Sequence, residues 1–469
     1  MTNRWERLLV AGAAAYVLFV GWAMTALSYD IWGAFVVAPI VVTLTVPALK
    51  RVFRGDDVAI LPIAVGGLVA KLGATLFRYW VAFDAYGGQA DAGVYHEAGA
   101  RLADQIRGGD LSTVTGLTSE TGAAFVERLT GIVYAVFGSS LLGGFLVFAW
   151  MAFVGLVLFV RAATIAVPGL LRRRYAILVF FGPSLLYWSS SIGKEAVMML
   201  CLGLTSYGGA RLLTGQWGGF SVPLTAAGIV GAGFVRPHFA AIWVAALALA
   251  LLVGALTGDS RRGILGRIGT LGLAAVAVVG LSLVAAATLE YLDPPQEDVT
   301  GAVTVAAPIT ERVSDIFDET ERRTSQGDSS FEVITIVGPQ DYPIAIVRTL
   351  TRPLLIEADN VAELIPALEM TALLVLAAVS WRRIVNLPLM MLRTPYLVMA
   401  VVVLVMFGIA FTSIGNLGVL TRQRSLVMPL FLVPYCLPRW GHVHRPAAPV
   451  SRRPEPRAAS SPRPSVPRW

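Results

Sequence analysis

The stretch Phe181-Gly-Pro-Ser-Leu-Leu-Tyr-Trp-Ser-Ser-Ser-Ile-Gly-Lys-Glu195 lies between two apolar runs, each just long enough for a membrane helix. It sets three consecutive serines, a tryptophan, a lysine and a glutamate at a depth where charge is costly. An isolated charged side chain at the centre of a bilayer helix costs about 2.5–3.5 kcal/mol on insertion scales. A chain that keeps such groups pairs them, wets them or uses them. The expectation is therefore that this stretch forms the outer mouth of a helical bundle, with Pro183 and Gly193 breaking the helices on either side.

The composition agrees with a membrane setting. Of 469 residues, 56% are hydrophobic and 14% charged, whereas soluble domains carry about 25% charged residues. This points to an all-α polytopic membrane protein and away from a soluble globular chain. A net charge of +7 would suggest nucleic acid in a soluble protein. Here the arginines cluster between and after the apolar runs, so membrane topology accounts for them and no nucleic-acid partner is expected. The two cysteines, Cys201 and Cys436, lie within apolar runs, so no disulfide or zinc site is expected. The segment Met1-Thr-Asn-Arg-Trp-Glu-Arg7 leads into a long apolar run without a small-residue cleavage site, which reads as a retained first span.

Working outward, about twelve spans are predicted, near 8–27, 32–49, 58–82, 138–163, 175–189, 193–212, 218–235, 239–257, 266–289, 361–380, 396–414 and 425–438. With the N-terminus in the cytoplasm, the inner loops carry Lys50, Arg51 and Arg54, then Arg172 to Arg174, then Arg261 and Arg262, then Arg382, Arg383 and Arg393. The outer loops carry most of the acids, which is the positive-inside pattern. Both termini are thereby placed in the cytoplasm of a bacterial cell. The chain divides into a membrane domain over 1–438 and a basic, proline-rich tail over 439–469, expected to be disordered. Two longer outer loops, about 83–138 and 290–360, are expected to form a partly helical cap. A surface helix is predicted from Ala92 to Arg107, an amphipathic stretch from Ile309 to Arg323, and a β-prone run from Phe331 to Val337. No internal repeat is evident.

Several polar residues stand out against this background. Asp91, in Gly88-Gln-Ala-Asp-Ala-Gly-Val-Tyr-His-Glu97, offers a general base or a metal ligand just outside a span; its competing role is to cap the following helix. Asp84 is a companion acid, and His96 lies close by. Lys194 and Glu195 read either as an ion pair at the headgroups or as an anion site at a helix start. Arg236-Pro-His238 puts an arginine and a histidine on the side that has few basic residues. Arg348 and Arg352, followed by Glu357 and Asp359, and then Arg422 and Arg424, depart from the positive-inside rule in the same way. Planar guanidinium groups suit phosphate or sugar-diphosphate recognition, and interfacial snorkelling is the alternative. Lys71, inside the third span, is expected to pair with an acid of another helix, and Arg78 to sit near that span's outer end. No P-loop, HExxH, Gly-x-Ser-x-Gly elbow, Cys/His metal spacing or dinucleotide fingerprint is present. No cofactor is therefore expected, with a divalent cation at the acids left as an option.

The Phe-Gly-Pro-Ser-Leu-Leu-Tyr-Trp-Ser-Ser-Ser-Ile-Gly-Lys-Glu stretch, the Arg236-Pro-His turn, Arg352-Pro-Leu-Leu-Ile-Glu-Ala-Asp-Asn360 and Gly415-Asn-Leu-Gly-Val-Leu-Thr-Arg-Gln-Arg424 together resemble a largely uncharacterised family of bacterial multi-pass proteins associated with cell-surface polysaccharide. The likeness covers most of residues 75–437. More distantly, the outer-loop acid followed by Tyr95 resembles the membrane-embedded GT-C glycosyltransferases, and the outer arginines resemble Wzy-type polysaccharide polymerases. These resemblances imply a membrane glycosyltransferase or polymerase acting on polyprenyl-linked sugars at the outer face. Asp91 would be the base, and Asp84, His96, Lys194, Glu195, Arg236, His238, Arg352, Arg422 and Arg424 would contact the substrate. The rival expectations are a transporter or flippase for a lipid-linked or anionic substrate, and a non-catalytic scaffold working with envelope-assembly proteins.

Overall fold

The structure, a computed structural model, describes residues 4–257 and 338–439 apart from 86, 89, 359 and 360, together with 272 and 275. Among these residues the fold is helical throughout, without strands. In chain order the helices are α1 (Arg4–Ala26), α2 (Tyr29–Val52), α3 (Leu61–Trp80), α4 (Asp91–Arg107), α5 (Ser112–Thr115), α6 (Ala123–Phe137), α7 (Leu141–Ala166), α8 (Arg172–Phe181), α9 (Pro183–Tyr187), α10 (Lys194–Leu213), α11 (Ser221–Val235) and α12 (Pro237–Thr257). After the undescribed stretch come α13 (Tyr342–Thr351), α14 (Val361–Val379), α15 (Trp381–Ile384), α16 (Leu387–Met391), α17 (Pro395–Ala410), α18 (Leu417–Arg424) and α19 (Met428–Phe431).

Six of the described helices are long and apolar enough to cross a membrane, and a seventh span follows if the bent pair formed by α14 and by α15 with α16 counts as one. The six correspond to the predicted segments near 8–27, 32–49, 58–82, 138–163, 193–212 and 239–257. The two arms of the pair meet at 72°. Helices α11 and α17, at 15 and 16 residues, are apolar but shorter than the roughly 20 residues a straight span needs. Two predicted spans take another form. The 175–189 segment breaks at Gly182 into α8 and α9, because Pro183 has no N–H to continue the ladder. The 425–438 segment holds only α19 and a 3-10 turn at Pro434–Cys436. The segments 266–289, 309–323 and 331–337, and the tail beyond Arg439, lie outside the described residues.

The core is built on α7 and α10. A methyl group on Gly155 of α7 would lie 2.2 Å from the Met199 carbonyl oxygen, and one on Gly203 of α10 would lie 2.5 Å from the Gly155 carbonyl oxygen. The two backbones therefore touch, as small residues allow between apolar helices. This contact brings the first turn of α10, with Glu195, into the interior. The predicted surface helix is α4, which begins one residue earlier than expected, at Asp91. It packs on α6, an apolar helix within the 83–138 segment for which no helix was predicted from sequence.

The bundle has two chemically distinct ends. At one end Asp57, just before α3, pairs with Arg161 of α7 and with Arg172 of α8, the latter at 2.8 Å. Arg174 donates to Ser380 Oγ at 2.6 Å, and Arg383 to the Leu437 carbonyl at 2.6 Å. Helix α3 then rises about 30 Å at 1.5 Å per residue and delivers Arg78 and Trp80 to the other end.

Candidate functional site

At that other end the broken segment is held by two buried charges from neighbouring helices. Lys71 of α3 is fully buried, and its Nζ donates to the carbonyls of Leu185 at 2.9 Å and Leu186 at 3.2 Å and to Ser189 Oγ at 2.7 Å. The expected acid partner is thus replaced by the open carbonyls at the C-terminal end of α9. Glu369 of α14 accepts from the Ser184 N–H at 3.1 and 3.2 Å and from the Ser184 hydroxyl. A cation therefore sits at the C-terminal end of α9 and an anion at its N-terminal end, which is the favourable sense for the helix dipole. Because Pro183 and the short length leave these groups unpaired within the helix, the two side chains, with the Ser189 and Ser190 hydroxyls on the Leu185 and Leu186 carbonyls, supply the missing partners.

Beyond α9, four charges from four parts of the chain meet. Arg422 on α18 forms a fork on Glu195, with Nε 2.7 Å from Oε1 and Nη2 2.8 Å from Oε2. The same guanidinium reaches Asp91 Oδ2 from Nη1 at 3.2 Å and from Nη2 at 3.1 Å. Arg236, at the turn between α11 and α12, donates from Nη2 to Glu195 Oε1 at 2.5 Å. Glu195 is thus buried between two arginines. Asp91 differs: its side chain is 61% exposed, and among the described residues Oδ1 receives no hydrogen bond. Asp91 is the first residue of α4, and its carboxylate makes no capping bond; it is engaged by Arg422 instead. Lys194 opens α10 half-buried, within reach of the charges of Arg236, Glu195, Arg422 and Asp91, and makes no hydrogen bond among the described residues.

This network forms one wall of a cavity of about 810 Å3. Asp91, Glu195, Arg422 and Ser191 line its polar side. Phe77, Trp80, Trp188, Ile365 and Pro366 line its apolar side. Phe77, Trp80 and Ile365 are about half exposed, so the apolar wall continues onto the outer surface of α3 and α14. The volume lies within the about 300–1,000 Å3 typical of ligand pockets. Tyr95 of α4 is buried next to the network, and burial with the nearby Asp91 and Glu195 carboxylates pushes its phenol up to about 12. It is a neutral hydroxyl at physiological pH.

The site as expected from sequence is brought together only in part. Asp91, Lys194, Glu195, Arg236 and Arg422 converge. Asp84 is exposed on the π-helical turn Val81–Ala85 and is not part of the network. His96 faces the other way on α4: Nδ1 meets Tyr134 Oη at 2.8 Å, and Nε2 lies 3.6 Å from Asp30 Oδ1. His238 packs edge-on against Phe411, with centroids 5.7 Å apart. Arg352 pairs with Glu357 five residues on, with Nε 2.6 Å from Oε1. Arg424 is fully buried and donates to the Leu350 carbonyl at 3.5 Å and to the Arg352 carbonyl, so it anchors the end of α13. Arg78, Tyr187 and Trp188 line the cavity and were not among the expected site residues. The signal for them was present in the quoted stretch and at the end of the third span, where aromatic residues cluster beside an arginine. Among the described residues no group of three or more His, Cys, Asp or Glu is placed to hold a metal ion.

The fold and the polar end of the bundle define a class, that of multi-pass helical membrane proteins. Comparison with known proteins goes no further: no family model, no curated protein and no solved structure matches the chain.

Proposed function

We propose that the chain is a membrane glycosyltransferase or polysaccharide polymerase that acts on polyprenyl-linked sugars at the outer face of the bacterial cytoplasmic membrane. The observation that carries this reading is the amphipathic cavity. It sets the open oxygen of Asp91 and the guanidinium groups of Arg78 and Arg422 against an apolar wall that runs out to the exposed faces of α3 and α14. A lipid-linked sugar has the matching polarity. Its chain lies along Phe77, Trp80 and Ile365, and its reacting end meets the charged wall.

In the proposed reaction Asp91 Oδ1 accepts the proton of an acceptor hydroxyl as that oxygen attacks the anomeric carbon. The bond between that carbon and the polyprenyl phosphate oxygen breaks, and the phosphate leaves with the bonding electrons, stabilised by nearby cations. Glu195 holds Arg422 and Arg236 in place, so the positive groups need no reorganisation as charge develops. The proposal includes a topology of about twelve spans with both termini cytoplasmic. In it the Asp57–Arg161–Arg172 end lies inside and the Asp91 end outside.

Complementation of a deletion strain tests this reading. Asp91→Asn and Arg422→Ala chains that reach the membrane should lose or shorten surface glycan while lipid-linked precursor accumulates in the outer leaflet. Precursor held in the inner leaflet would instead indicate a flippase. Unchanged glycan with both variants would remove the site and leave an envelope-assembly scaffold.

A further inference from the structure

Arg78 is the one cation lining the cavity whose charge no carboxylate answers among the described residues. Its guanidinium lies over the Tyr187 ring, 4.5 Å from the centroid, and 5.5 Å from the centroid of Trp188. Nη1 donates to the Tyr187 hydroxyl, and Nε is buried without a hydrogen-bond partner. Arg422, by contrast, is already shared by Glu195 and Asp91, and Arg236 is held by Glu195. A bound anion would compete with those carboxylates at Arg422 but with none at Arg78. The aromatic stack also fixes the plane of the guanidinium, which lowers the ordering cost of a two-point contact. An intramembrane cation at the outer end of a span, kept without an acid partner and facing a cavity, marks a place for an anion.

We propose that Arg78 is the headgroup phosphate site of this cavity, and that the Asp91–Arg422–Glu195–Arg236 network is a preformed reaction wall that leaves the first phosphate contact to Arg78. The ligand chemistry is a phosphate ester whose apolar chain lies against Phe77 and Trp80, the neighbours of Arg78 on the outer turn of α3. Aromatic stacking by Tyr187 and Trp188 presents the guanidinium edge to the phosphate oxygens. This deepens the functional reading above and rests on it for the class of lipid.

Native mass spectrometry of the full chain in detergent, with farnesyl phosphate, farnesol and inorganic phosphate as probes, tests the assignment. Wild-type chain should bind farnesyl phosphate at least tenfold more tightly than farnesol. Arg78→Gln should remove that preference and leave farnesol binding unchanged. Arg78→Lys, which keeps the charge and loses the planar stack, should weaken farnesyl phosphate severalfold, and it serves if the glutamine variant does not fold. A phosphate preference that survives both Arg78 variants overturns the inference, while the functional reading still stands or falls on the glycan assay. Equal binding of farnesyl phosphate and farnesol by wild type also overturns it. Displacement of farnesyl phosphate by equimolar inorganic phosphate would assign the site to free phosphate and overturn the lipid assignment.

Discussion

Glu195 and Asp91 hold the same guanidinium in opposite surroundings, and substitution should separate them. The Glu195 side chain is 3% exposed and answers two arginines. Removing its charge leaves the buried Arg236 without its carboxylate and Arg422 with only the exposed Asp91, at a cost of about 3–5 kcal/mol for a broken buried pair. Asp91 lies on the exposed side of Arg422, where such a pair contributes about 0–1 kcal/mol. Thermal unfolding in detergent should therefore show a large loss of Tm for Glu195→Gln and almost none for Asp91→Asn, although both should lose activity. Comparable Tm losses would mean that Asp91 is structural. His96 carries a different expectation. Burial lowers its pKa from the ordinary 6.5, with the Asp30 and Glu97 carboxylates pulling upward. The unfolded chain then binds a proton at this site at pH values where the folded chain does not, so stability should fall as pH drops below about 6.5. A Tm series from pH 7.5 to pH 5 checks this, and His96→Gln should flatten the slope.

Among the elements, the five-residue α9 is the clearest dependent of its neighbours. A helix this short does not persist alone, and Pro183 starts it without an N–H. Lys71 and Glu369 supply partners at its two ends, from helices far away in sequence. Lys71→Met should leave the Leu185 and Leu186 carbonyls with only the Ser189 and Ser190 hydroxyls as donors, at about 1.5–3 kcal/mol for a lost hydrogen bond to a charged group. The readout is hydrogen exchange of the peptide covering 183–191, which should speed up in Lys71→Met and less in Glu369→Gln, since the amide keeps an acceptor for Ser184. Exchange unchanged in both variants would show that α9 is held by packing alone. The same clamp positions Tyr187 and Trp188, so Lys71→Met should also weaken ligand binding in the cavity without touching it.

At the scale of the whole molecule, the polarity of the two ends sets a test of orientation. Asp110, after α4, and Arg173, in the first turn of α8, are exposed at opposite ends of the bundle. A membrane-impermeant maleimide should label Asp110→Cys in intact cells, and Arg173→Cys only after permeabilisation. The natural Cys201 and Cys436 are buried and free, so the background should be low. Labelling in the reverse order would invert the proposed topology and place the cavity inside.

The sequence alone determined the helical, membrane-spanning class, because transfer free energy acts residue by residue and can be summed along a chain. It also marked the break at Gly182–Pro183 and the arginines that depart from the expected charge pattern, since each of these is a local departure from a repeating pattern. What it left open was which of those charges meet. Arg422 and Asp91 are 331 positions apart, and Lys71 and Leu185 are 114 apart. Pairing depends on the angle of each residue around its helix, about 100° per position, and on how the helices cross. So Arg422 and Arg424, two positions apart and alike in sequence, end on opposite faces of α18, one in the cavity wall and one anchoring α13. His96, five residues after Asp91, turns to Asp30 for the same reason. Arg78 gained its place only when the broken segment folded over it and brought two aromatic rings to its guanidinium, a contact that tertiary packing alone creates.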